Sequence, residues 1–520
     1  MLNLTRLLAA LFSGLVLVVI SPPQNLHFLH WFAFVPLLWA LREDDNRVNA
    51  MLGYLAGYAG VSSLFFWLSE AIVRFSNIPA GVALLLVHAF AAVFALPYAL
   101  VFGMVQPMRR WLGVAWVFLI PALQVASEFC APALFPYYQG VSQYRTLPVW
   151  QLASVTGVYG VSYLVMLVNC ALAEALYRHR EGGKIPAPML ATVALLWLGN
   201  LAFGLHRLED LNARVAAMPR IRVSQLQQGV TMEERMASTP RDAMLAWIKM
   251  TSHLYGKPVD LIIWPEGATP YDPRGARVGS LIANVARTAH APIVFGGGYA
   301  EKKVDPASGR EYYEQRNSIY LVGADGELVD RYDKMVPLPF GEYLPLADTF
   351  PFLKDLIKGP GDFQAGDHAV PFNIETKSGQ KVRFTTPICY EAILSHFVRT
   401  ELTDAELLVN VTNDGWFGDT AAPHQHAMLS AVRAVELGLP IVRIAYTGVS
   451  MLISPTGEIT EETQPFTEVI QIIETPVGHV ETIYQRIGDL FAMLCTFAAV
   501  IGGIITARRA TAVTPEQPSS

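Results

Sequence analysis

Three polar residues stand just past predicted β-strands in the second half of this sequence: Glu266 in LIIWPEGATP, Lys334 in VDRYDKMVPLP and Cys389 in FTTPICYEA. Ligands and reacting groups collect at the strand ends of α/β sheets. A carboxylate can remove and return a proton, a cation can stabilise an oxyanion, and a thiol can attack a carbonyl carbon. Each residue taken singly is a weak signal, but together they supply what thiol-dependent acyl transfer requires.

Cys389 is the residue on which this hypothesis depends. The other cysteines lie in apolar stretches long enough to cross a membrane: Cys130, Cys170 and Cys495. Cys389 therefore has no disulfide partner in the hydrophilic part of the chain. A lone cysteine is most often a small buried apolar residue. Here, however, the pair Tyr390-Glu391 and a predicted helix follow it directly, and a helix N-terminus favours the thiolate.

No histidine replaces the carboxylate with comparable support. His424 and His426 start a predicted helix after the turn 416–418, and we interpret them as helix-start and packing residues. The chain has neither an HExxH motif nor paired cysteines, so the spacing does not indicate a zinc site. The run 296–298 consists of three glycines but lacks the spacing of a phosphate-binding loop. The proposed chemistry needs no metal and no organic cofactor.

The composition is that of an integral membrane protein. The 520 residues are 52% hydrophobic and only 16% charged, with a mean hydropathy of +0.33. These values are too apolar for an ordinary soluble enzyme. The formal net charge is −6, and no cluster of Lys and Arg is dense enough to neutralise a phosphate backbone. Nucleic acid is therefore not an expected partner.

Eight segments are long and apolar enough to be membrane-spanning helices. They cover residues 4–21, 26–41, 49–72, 78–105, 112–130, 160–177, 187–205 and 487–507. If they alternate, most basic residues of the short loops fall on one side, and only Arg74 and Arg145 fall on the other. Because basic loops stay in the cytoplasm, we expect both termini there and the long segment after the seventh span outside.

That long segment has the pattern of an α/β domain, in which β-branched runs alternate with amphipathic helical stretches. Strands are predicted at 220–226, 260–264, 291–296, 317–322, 327–332, 382–388, 406–411, 441–446 and 449–454. Helices are predicted at 240–255, 275–289, 391–400 and 424–437. The sequence thus predicts four parts: a seven-span bundle at 1–208, an outer α/β domain at 209–484, an eighth span at 485–507 and a cytoplasmic tail at 508–520.

The motifs of the outer segment resemble those of the nitrilase/amidase superfamily. In chain order they are WPEGATP, YDKMVPLPFGEYLP, PICYEA, LVNVTNDGWFG and RAVELGLPIVRIAYTGVSMLISPTGEI, and the match covers about half of the chain. Members of that superfamily carry a Glu-Lys-Cys triad on an αββα sandwich. The resemblance implies the same fold here, with Glu266 as general base, Lys334 as oxyanion stabiliser and Cys389 as nucleophile.

The resemblance also implies supporting roles for residues beside the triad. Glu342 in PFGEYLP and Glu391 in CYE are the supporting carboxylates, and Tyr390 lies between Cys389 and Glu391. One departure is Tyr446 in IAYTG, where many members have Asn. We expect this change to affect local packing more than the triad.

A nitrilase-like domain between seven spans and an eighth is similar in architecture to the apolipoprotein N-acyltransferase family. The resemblance implies acyl transfer from a membrane phospholipid, through a thioester on Cys389, to the α-amino group of the diacylglyceryl-modified N-terminal cysteine of an apolipoprotein. The implied location is the bacterial inner (cytoplasmic) membrane, with the catalytic domain on the periplasmic side. A monomer among membrane lipids, without a cofactor, is expected.

Two other functions are consistent with parts of the sequence. A membrane-tethered amidase would pass its acyl group to water, but hydrolysis of a small soluble amide explains one anchor better than eight spans. A transporter with an outer binding domain would need a polar path through the spans. Glu70, Glu128 and Glu174 are the main ionisable residues near or within them, too few for a charged-substrate path.

The stretch 343–366 is longer than an ordinary connection between strands, as binding loops often are. Its apolar residues Phe350, Phe352 and Leu353 are followed by a glycine-proline hinge at 359–361. We predict a flap that touches the membrane and admits acyl chains to Cys389, with Trp416 and Phe417 as further lipid-access or substrate residues.

Overall fold

The computed structural model describes residues 3–43, 45–76, 78–131, 134–304, 309–347, 349–350, 352 and 361–512. The chain divides into two compact units. The first, here called the helical unit, comprises Met1–Ser69, Leu84–Leu208 and Thr482–Ser520. The second, the α/β unit, comprises Glu70–Ala83 and Glu209–Glu481. The short segment Glu70–Ala83 thus groups with the α/β unit, although it lies within the predicted helical bundle.

The helical unit is built from apolar helices joined by short turns. The α-helices that lie in it wholly or largely are Leu4–Ile20, Val35–Ala40, Asn46–Leu64, Ala80–Phe94, Leu96–Leu112, Trp116–Cys130, Leu147–Trp150, Ala153–Thr156, Val158–Arg180, Ala187–Ala217, Ile483–Ile487 and Leu490–Ala512. Among the residues described for this unit, three 3₁₀ helices accompany them: His27–Trp31, Gly113–Ala115 and Gln139–Gln143. Helix Leu68–Ser76 crosses the boundary between the two units.

Several of these helices have the length and apolarity of membrane spans. Among the described residues, four helical stretches pass such a test: Ala80–Cys130, Val158–Arg180, Ala187–Ala217 and Leu490–Ala512. The pair Asn46–Leu64 and Leu68–Ser76, bent by 53°, makes a fifth if counted as one span. Leu4–Ile20 and His27–Ala40 are apolar but shorter, and Ala80–Cys130 contains three separate helices. The number eight stays a prediction.

Glu174 shows how this unit accommodates a buried charge. Its side chain is inaccessible to solvent, and it accepts hydrogen bonds from Arg109 at 2.8 Å and Arg178 at 2.6 Å. Arg109 also pairs with Glu181 and Glu43, both at 2.8 Å. Removing one partner of such a buried group would leave an unpaired charge, which costs several kcal/mol. Glu174 is therefore tied into the structure of the bundle.

The described residues of the α/β unit form twelve strands in three sheets. In chain order, β1 to β12 are Arg220–Gln227, Ile262–Thr269, Ile293–Val304, Glu311–Val322, Leu328–Asp333, Phe372–Glu375, Lys381–Thr385, Leu407–Thr412, Ile441–Ala445, Met451–Ile453, Ile459–Thr460 and Val469–Pro476. The sheet orders are β2-β3-β4-β5, β11-β10-β9-β8-β7-β6 and β1-β12. The α-helices in the described part of this unit are Met232–Ala237, Pro240–Ser252, Ala276–Ala289, Ser395–Glu401 and Ala422–Leu437. The 3₁₀ helices described there are Cys389–Ile393 and Asp414–Phe417.

The two larger sheets pack face to face because their side chains alternate along each strand. In β2, Ile263 joins the core shared with Phe384, Val409 and Val442 of the opposite sheet. Its neighbours in β2 point the other way, into a second core that contains Trp247 and other residues of the flanking helices. This arrangement of sheets and outer helices is the predicted nitrilase-like sandwich.

The predicted strands and helices of this unit correspond to observed ones, with ends that shift by up to eight residues, most at the end of β3 and the start of β4. Three strands and one α-helix were not anticipated: β6, β11, β12 and helix Met232–Ala237. β12 pairs antiparallel with β1 over eight residues, from Arg220↔Pro476 to Gln227↔Val469. Such a pairing joins the two ends of the unit, which no local pattern can indicate.

Candidate active site

Glu266 lies on a bulge of β2. The pairing of β2 with β3 shifts register between Trp264 and Thr269, so residues 265–268 leave the regular ladder. Gly296 of β3 faces this bulge, where a Cβ atom would come within 2.4 Å of the Gly267 nitrogen. The glycine run 296–298 thus gives the bulge room to approach β3 closely. The bulge turns Glu266 toward Asn413, whose backbone N–H donates a 2.9 Å hydrogen bond to Glu266 Oε2.

Lys334 follows the last residue of β5 and is 2% exposed. Its backbone N–H donates to the Asn317 carbonyl on β4, which places the two side chains beside each other. The Lys334 ammonium lies 2.6 Å from Glu342 Oε2 and 3.6 Å from Glu266 Oε1. The Asn317 amide bridges the same two carboxylates with hydrogen bonds of 2.7 Å to each. The site therefore contains a compact network of two carboxylates, one ammonium and one amide.

Cys389 begins the 3₁₀ helix Cys389–Ile393, four residues after β7 ends. Its φ of +50° lies in the left-handed region, which L-residues rarely adopt. Such backbone strain is concentrated at functional sites, where surrounding contacts hold it. Cys389 is 7% exposed, and the charges of Glu266 and Lys334 both act on its thiol. The structure thus brings the three predicted triad residues together.

Glu391 connects the loop of Cys389 to the loop of Lys334. Its Oε1 accepts hydrogen bonds from the Tyr332 hydroxyl at 2.9 Å and from the backbone N–H groups of Met335 and Val336 at 2.7 and 3.1 Å. Its Oε2 accepts from the Ile388 N–H at 2.8 Å. The carboxylate is fully buried. Tyr390, its neighbour, is also buried.

The electrostatics of the site favour a protonated thiol beside a protonated lysine. Burial raises the pKa of Cys389 above its ordinary value, the Glu266 carboxylate raises it further, and the Lys334 ammonium opposes this. Burial lowers the pKa of Lys334, but the carboxylates of Glu342 and Glu266 outweigh it and the net pKa is raised. Burial raises the pKa of Glu391 to about 7, against the lowering effect of Lys334. The resting thiol therefore needs a base to become a nucleophile.

A second buried network lies behind the Cys389 backbone. His426 Nδ1 is 2.7 Å from Asp414 Oδ1, and His426 Nε2 is 3.2 Å from the carbonyl oxygen of Cys389. Arg443 lies 2.8 Å from Asp414 Oδ2. The interpretation of His426 as a packing residue was therefore incomplete, because the ring also contacts the loop of the nucleophile. The nearest sequence signal was the motif LVNVTNDGWFG, which contains Asn413 and Asp414 but does not identify their partners.

The same network includes the one group of potential metal ligands found among the described residues. Atoms of Cys389, Asp414 and His426 lie within 4.8 Å of one another. Asp414 already accepts hydrogen bonds from His426, Thr412 and Arg443. The Arg443 guanidinium would repel a cation at this position. The donor set is better suited to hold the Cys389 loop than to coordinate a metal.

A cavity of about 480 Å³ opens beside the network of carboxylates. Glu266, Glu342, Asn317 and Asn413 line one part of it. Its aromatic lining includes Phe75, Phe363 and Trp416, and Trp416 stacks on Phe75 with ring centroids 4.7 Å apart. The cavity thus offers polar groups at Glu266 and Glu342 together with an aromatic wall.

The predicted lipid-access residues occupy three different settings. Phe350 and Phe352 are 46% and 61% exposed, with their rings 6.1 Å apart. Trp416 lines the cavity, whereas Phe417 is buried edge-on against His426. Leu353 and the hinge residues 359–360 lie outside the described residues.

The fold and the buried Glu266–Lys334–Cys389 cluster define an α/β domain of the carbon–nitrogen hydrolase class. The carbon–nitrogen hydrolase family matches residues 220–485, and the apolipoprotein N-acyltransferase N-terminal domain matches residues 13–171. Relatives that match over nearly their full length and carry the name apolipoprotein N-acyltransferase include those of three bacteria. That of Geobacter metallireducens is 31% identical over 96% of this chain and 95% of its own length. That of Brucella suis is 27% identical over 97% of this chain and 96% of its own length. That of Rickettsia prowazekii is 26% identical over 95% of this chain and 96% of its own length. The chain belongs to the apolipoprotein N-acyltransferase family.

Solved structures similar to this chain include two that cover about half of it. An amidase from Nesterenkonia sp. is 15% identical with a TM-score of 0.36, over 53% of this chain and 95% of the amidase. A CN-hydrolase superfamily protein from Xanthomonas campestris is 20% identical with a TM-score of 0.35, over 53% of this chain and 97% of its own.

Proposed function

We infer that this enzyme transfers an acyl chain from a membrane phospholipid to the α-amino group of the diacylglyceryl-modified N-terminal cysteine of an apolipoprotein. Membership of the family makes it an N-acyltransferase of lipoprotein biosynthesis. The phospholipid donor, the two steps and the role of each residue are our proposal. One observation carries the residue assignment: Cys389, the Lys334 ammonium and the Glu266 carboxylate are buried in one cluster, and Glu266 also lines the cavity.

In the first step, the Cys389 sulfur attacks the ester carbonyl carbon of the donor while Glu266 takes the thiol proton. The raised pKa of the thiol makes this proton transfer necessary. The oxyanion that forms lies against the Lys334 ammonium, which the Glu342 carboxylate holds in position. The bond to the glycerol oxygen then breaks, Glu266 returns the proton to that oxygen, and a lysophospholipid leaves.

In the second step, the free α-amino group attacks the thioester carbonyl carbon. Glu266 accepts a proton from the amine, Lys334 again stabilises the oxyanion, and the Cys389 sulfur leaves as its bond to the acyl carbon breaks. The sulfur recovers its proton from Glu266, which restores the resting site. The products are an amide-linked acyl chain on the lipoprotein and a free thiol. No metal or organic cofactor takes part in either step of this proposal.

The supporting residues keep these groups in place in this scheme. Glu342 and Asn317 orient Lys334 and Glu266, and Glu391 ties the Lys334 loop to the Cys389 loop. Tyr390 is buried and lies between Cys389 and Glu391 in the sequence. In this scheme it supports the strained turn at Cys389.

We further propose that the exposed aromatic residues Phe350 and Phe352 admit lipid. Phe350 and Phe352 belong to a stretch that also exposes Phe340 and Leu346, at 53% and 65%. Exposed apolar residues grouped in this way mark a membrane or ligand contact. Trp416, at the cavity wall, would then receive the acyl chain or its glycerol attachment.

The proposed location is the bacterial inner membrane. We propose eight spans, with the segment 209–484 on the periplasmic side and both termini in the cytoplasm. The apolar helices and the distribution of basic residues support this topology. We propose a monomer, whose partners are the donor phospholipid, the apolipoprotein acceptor and the surrounding lipids.

Intact-mass analysis tests the scheme. The purified full chain, mixed with phospholipid in detergent, should gain the mass of one acyl chain on Cys389. Addition of a diacylglyceryl-modified N-terminal cysteine peptide should remove that mass and produce an N-acylated peptide. Cys389→Ala and Cys389→Ser should gain no mass, whereas Cys130→Ala should behave as the wild type.

Two results would contradict the proposal. Acylation of the Cys389→Ala variant at the normal rate would exclude this residue as the nucleophile. Release of free fatty acid at the same rate with and without the peptide would favour the amidase alternative, in which water is the acceptor.

A further inference from the structure

Arg235 brings a cation to the cavity from a part of the chain in which no site residue was predicted. It lies on the short helix Met232–Ala237, which a Thr231–Glu234 capping box begins. Its Nη2 donates a 2.6 Å hydrogen bond to the carbonyl oxygen of Gly267, the residue directly after Glu266. Arg235 lines the same cavity as Glu266 and Glu342.

Tyr446 holds the guanidinium of Arg235 from one side. The guanidinium carbon lies 4.4 Å from the centroid of the Tyr446 ring. Tyr446 is itself 2% exposed and is fixed edge-on against Trp247, with centroids 5.2 Å apart. A cation over an aromatic face is favourable and limits the orientations of the guanidinium plane. Tyr446 therefore positions Arg235.

The ion pairs around the cavity show that Arg235 differs from its charged neighbours. Glu266 and Glu342 share Lys334, and Arg316 lies within 3.3 Å of Glu314, Asp333 and Asp367. Among the residues that the structure describes, no carboxylate lies within ion-pair distance of Arg235. Burial also lowers the pKa of Arg235 and outweighs the raising effects of Tyr446 and of the Glu266 carboxylate, so the cost of holding its charge away from water is only partly offset. An anionic ligand in the cavity would offset that cost.

Phosphate is the anion that best matches this arrangement. Guanidinium groups bind phosphate oxygens through two parallel N–H donors, and the contact with Gly267 uses only one Arg235 nitrogen. A phosphodiester bound at Arg235 would lie beside the residue that follows the proposed base. In a glycerophospholipid the ester carbonyls are only a few bonds from the phosphate, so this position suits attack by Cys389.

We propose that Arg235, held by Tyr446, binds the phosphate group of the acyl donor and thereby selects phosphate-containing lipids over neutral acylglycerols. This inference rests on the proposed function, because it concerns the donor of the first step. The proposal assigns donor recognition to the phosphate group, which all glycerophospholipids share. Donors with different headgroups should therefore be used, whereas diacylglycerol should be a poor donor.

The test compares Arg235→Gln with the wild type in the full chain in mixed micelles. The rate of Cys389 acylation is measured by intact mass against the concentration of phosphatidylglycerol or of diacylglycerol with the same acyl chains. The variant should need a roughly 10- to 100-fold higher concentration of phosphatidylglycerol for half-maximal rate, as expected for loss of charge-assisted hydrogen bonds. Its rate with diacylglycerol should not change.

Two further variants separate charge from packing. Arg235→Lys keeps the charge but loses the planar fork, so it should fall between the wild type and Arg235→Gln. Arg383→Gln removes a half-exposed arginine that pairs with Asp404. This control should leave the dependence of the acylation rate on the concentration of either donor unchanged. Labelling of Cys389 by iodoacetamide at the wild-type rate would show that the Arg235→Gln site is intact.

A competition arm distinguishes a lipid phosphate from free phosphate. If the site binds the donor, inorganic phosphate should inhibit acylation by phosphatidylglycerol only weakly and should not affect acylation by diacylglycerol. Inhibition of both reactions in the wild type but not in Arg235→Gln would show that the site binds free phosphate, which overturns donor selection.

Two other results would overturn the proposal. An equal loss of acylation rate with both donors in Arg235→Gln would mean that Arg235 only positions Gly267 and Glu266. Rates equal to those of the wild type at every donor concentration would mean that Arg235 has no role in donor binding. Failure of the proposed function is distinct, since the wild-type chain would then acquire no acyl mass on Cys389 from any donor.

Discussion

The backbone N–H of Met335 donates a 2.7 Å hydrogen bond to the buried carboxylate of Glu391. Met335 directly follows Lys334, and Glu391 comes two residues after Cys389. This bond therefore ties the loop of the proposed oxyanion cation to the loop of the proposed nucleophile. We infer that Glu391 positions both loops and does not react.

This role predicts a pH-dependent stability. Burial raises the pKa of Glu391 from 4.5 to about 7, so the folded state holds the proton more tightly than the unfolded state. The stabilisation is fully present below pH 4.5 and is lost as the pH rises through about 7. In the Glu391→Gln variant this contribution is absent. The substitution should therefore lower the free energy of unfolding most at about pH 4.5, and this loss should shrink by roughly 3 kcal/mol between about pH 4.5 and about pH 8.

Denaturant unfolding of the full chain in detergent at several pH values measures this difference. Glu375→Gln, which changes an exposed carboxylate on β6, should show no such trend. A cost of Glu391→Gln that stays constant with pH would contradict the raised pKa.

Lys334→Met should lower the rate of Cys389 acylation by about 10²- to 10³-fold, because the ammonium is the proposed donor to the oxyanion. Single-turnover intact-mass kinetics with phospholipid measures this rate. Lys377→Met, in the exposed turn between β6 and β7, is the matched control and should not differ from the wild type. A Lys334→Met rate close to that of the control would remove Lys334 from the mechanism.

The two carboxylates near Lys334 should differ in importance. Glu266→Gln removes the proposed base, so the acyl-enzyme should fail to form, with a loss of about 10²- to 10⁴-fold. Glu342→Gln keeps the base and weakens the 2.6 Å contact with Lys334, so it should be at least about tenfold faster than Glu266→Gln. The same single-turnover assay compares them, and the reverse order would exchange the two assignments.

The double variant Phe350→Ser and Phe352→Ser should slow acylation by phospholipid much more than labelling of Cys389 by a small water-soluble electrophile. The reason is that exposed aromatic residues contribute to contact with lipid but not to the chemistry. Tyr312→Ser with Tyr313→Ser, two exposed aromatic residues on β4, is the matched control. Equal loss in both assays, or aggregation, would show that the two phenylalanines stabilise the fold instead.

Reporter fusions test the proposed topology. A reporter fused after residue 215 should be active only outside the cytoplasm, and one fused near residue 510 only inside, because the basic loops are expected to stay inside. Western blots of both fusions control for expression. The opposite pair of activities would invert the orientation of the whole chain.

The sequence alone indicated the three residues that the structure brings together. Glu266, Lys334 and Cys389 each follow an apolar, β-branched run, which is a local pattern and therefore readable, although Glu266 lies on a bulge within β2 and not past its end. The same local patterns predicted most strands of the α/β unit and the apolar helices. Glu342 and Glu391 came from the family resemblance, since nothing in their own neighbourhood distinguishes them from solvated acids.

Tertiary structure alone decided which polar groups surround the triad. Asn317 lies inside β4 without any turn or motif signal, yet the pairing with β5 places it between Glu266 and Glu342. Arg235 and Tyr446 are more than two hundred residues apart and meet at the cavity. Composition and periodicity depend on neighbours along the chain, whereas strand pairing and sheet packing bring distant residues within hydrogen-bonding distance. The three residues of the proposed triad could therefore be predicted from the sequence, but partners such as Asn317 and Arg235 could not.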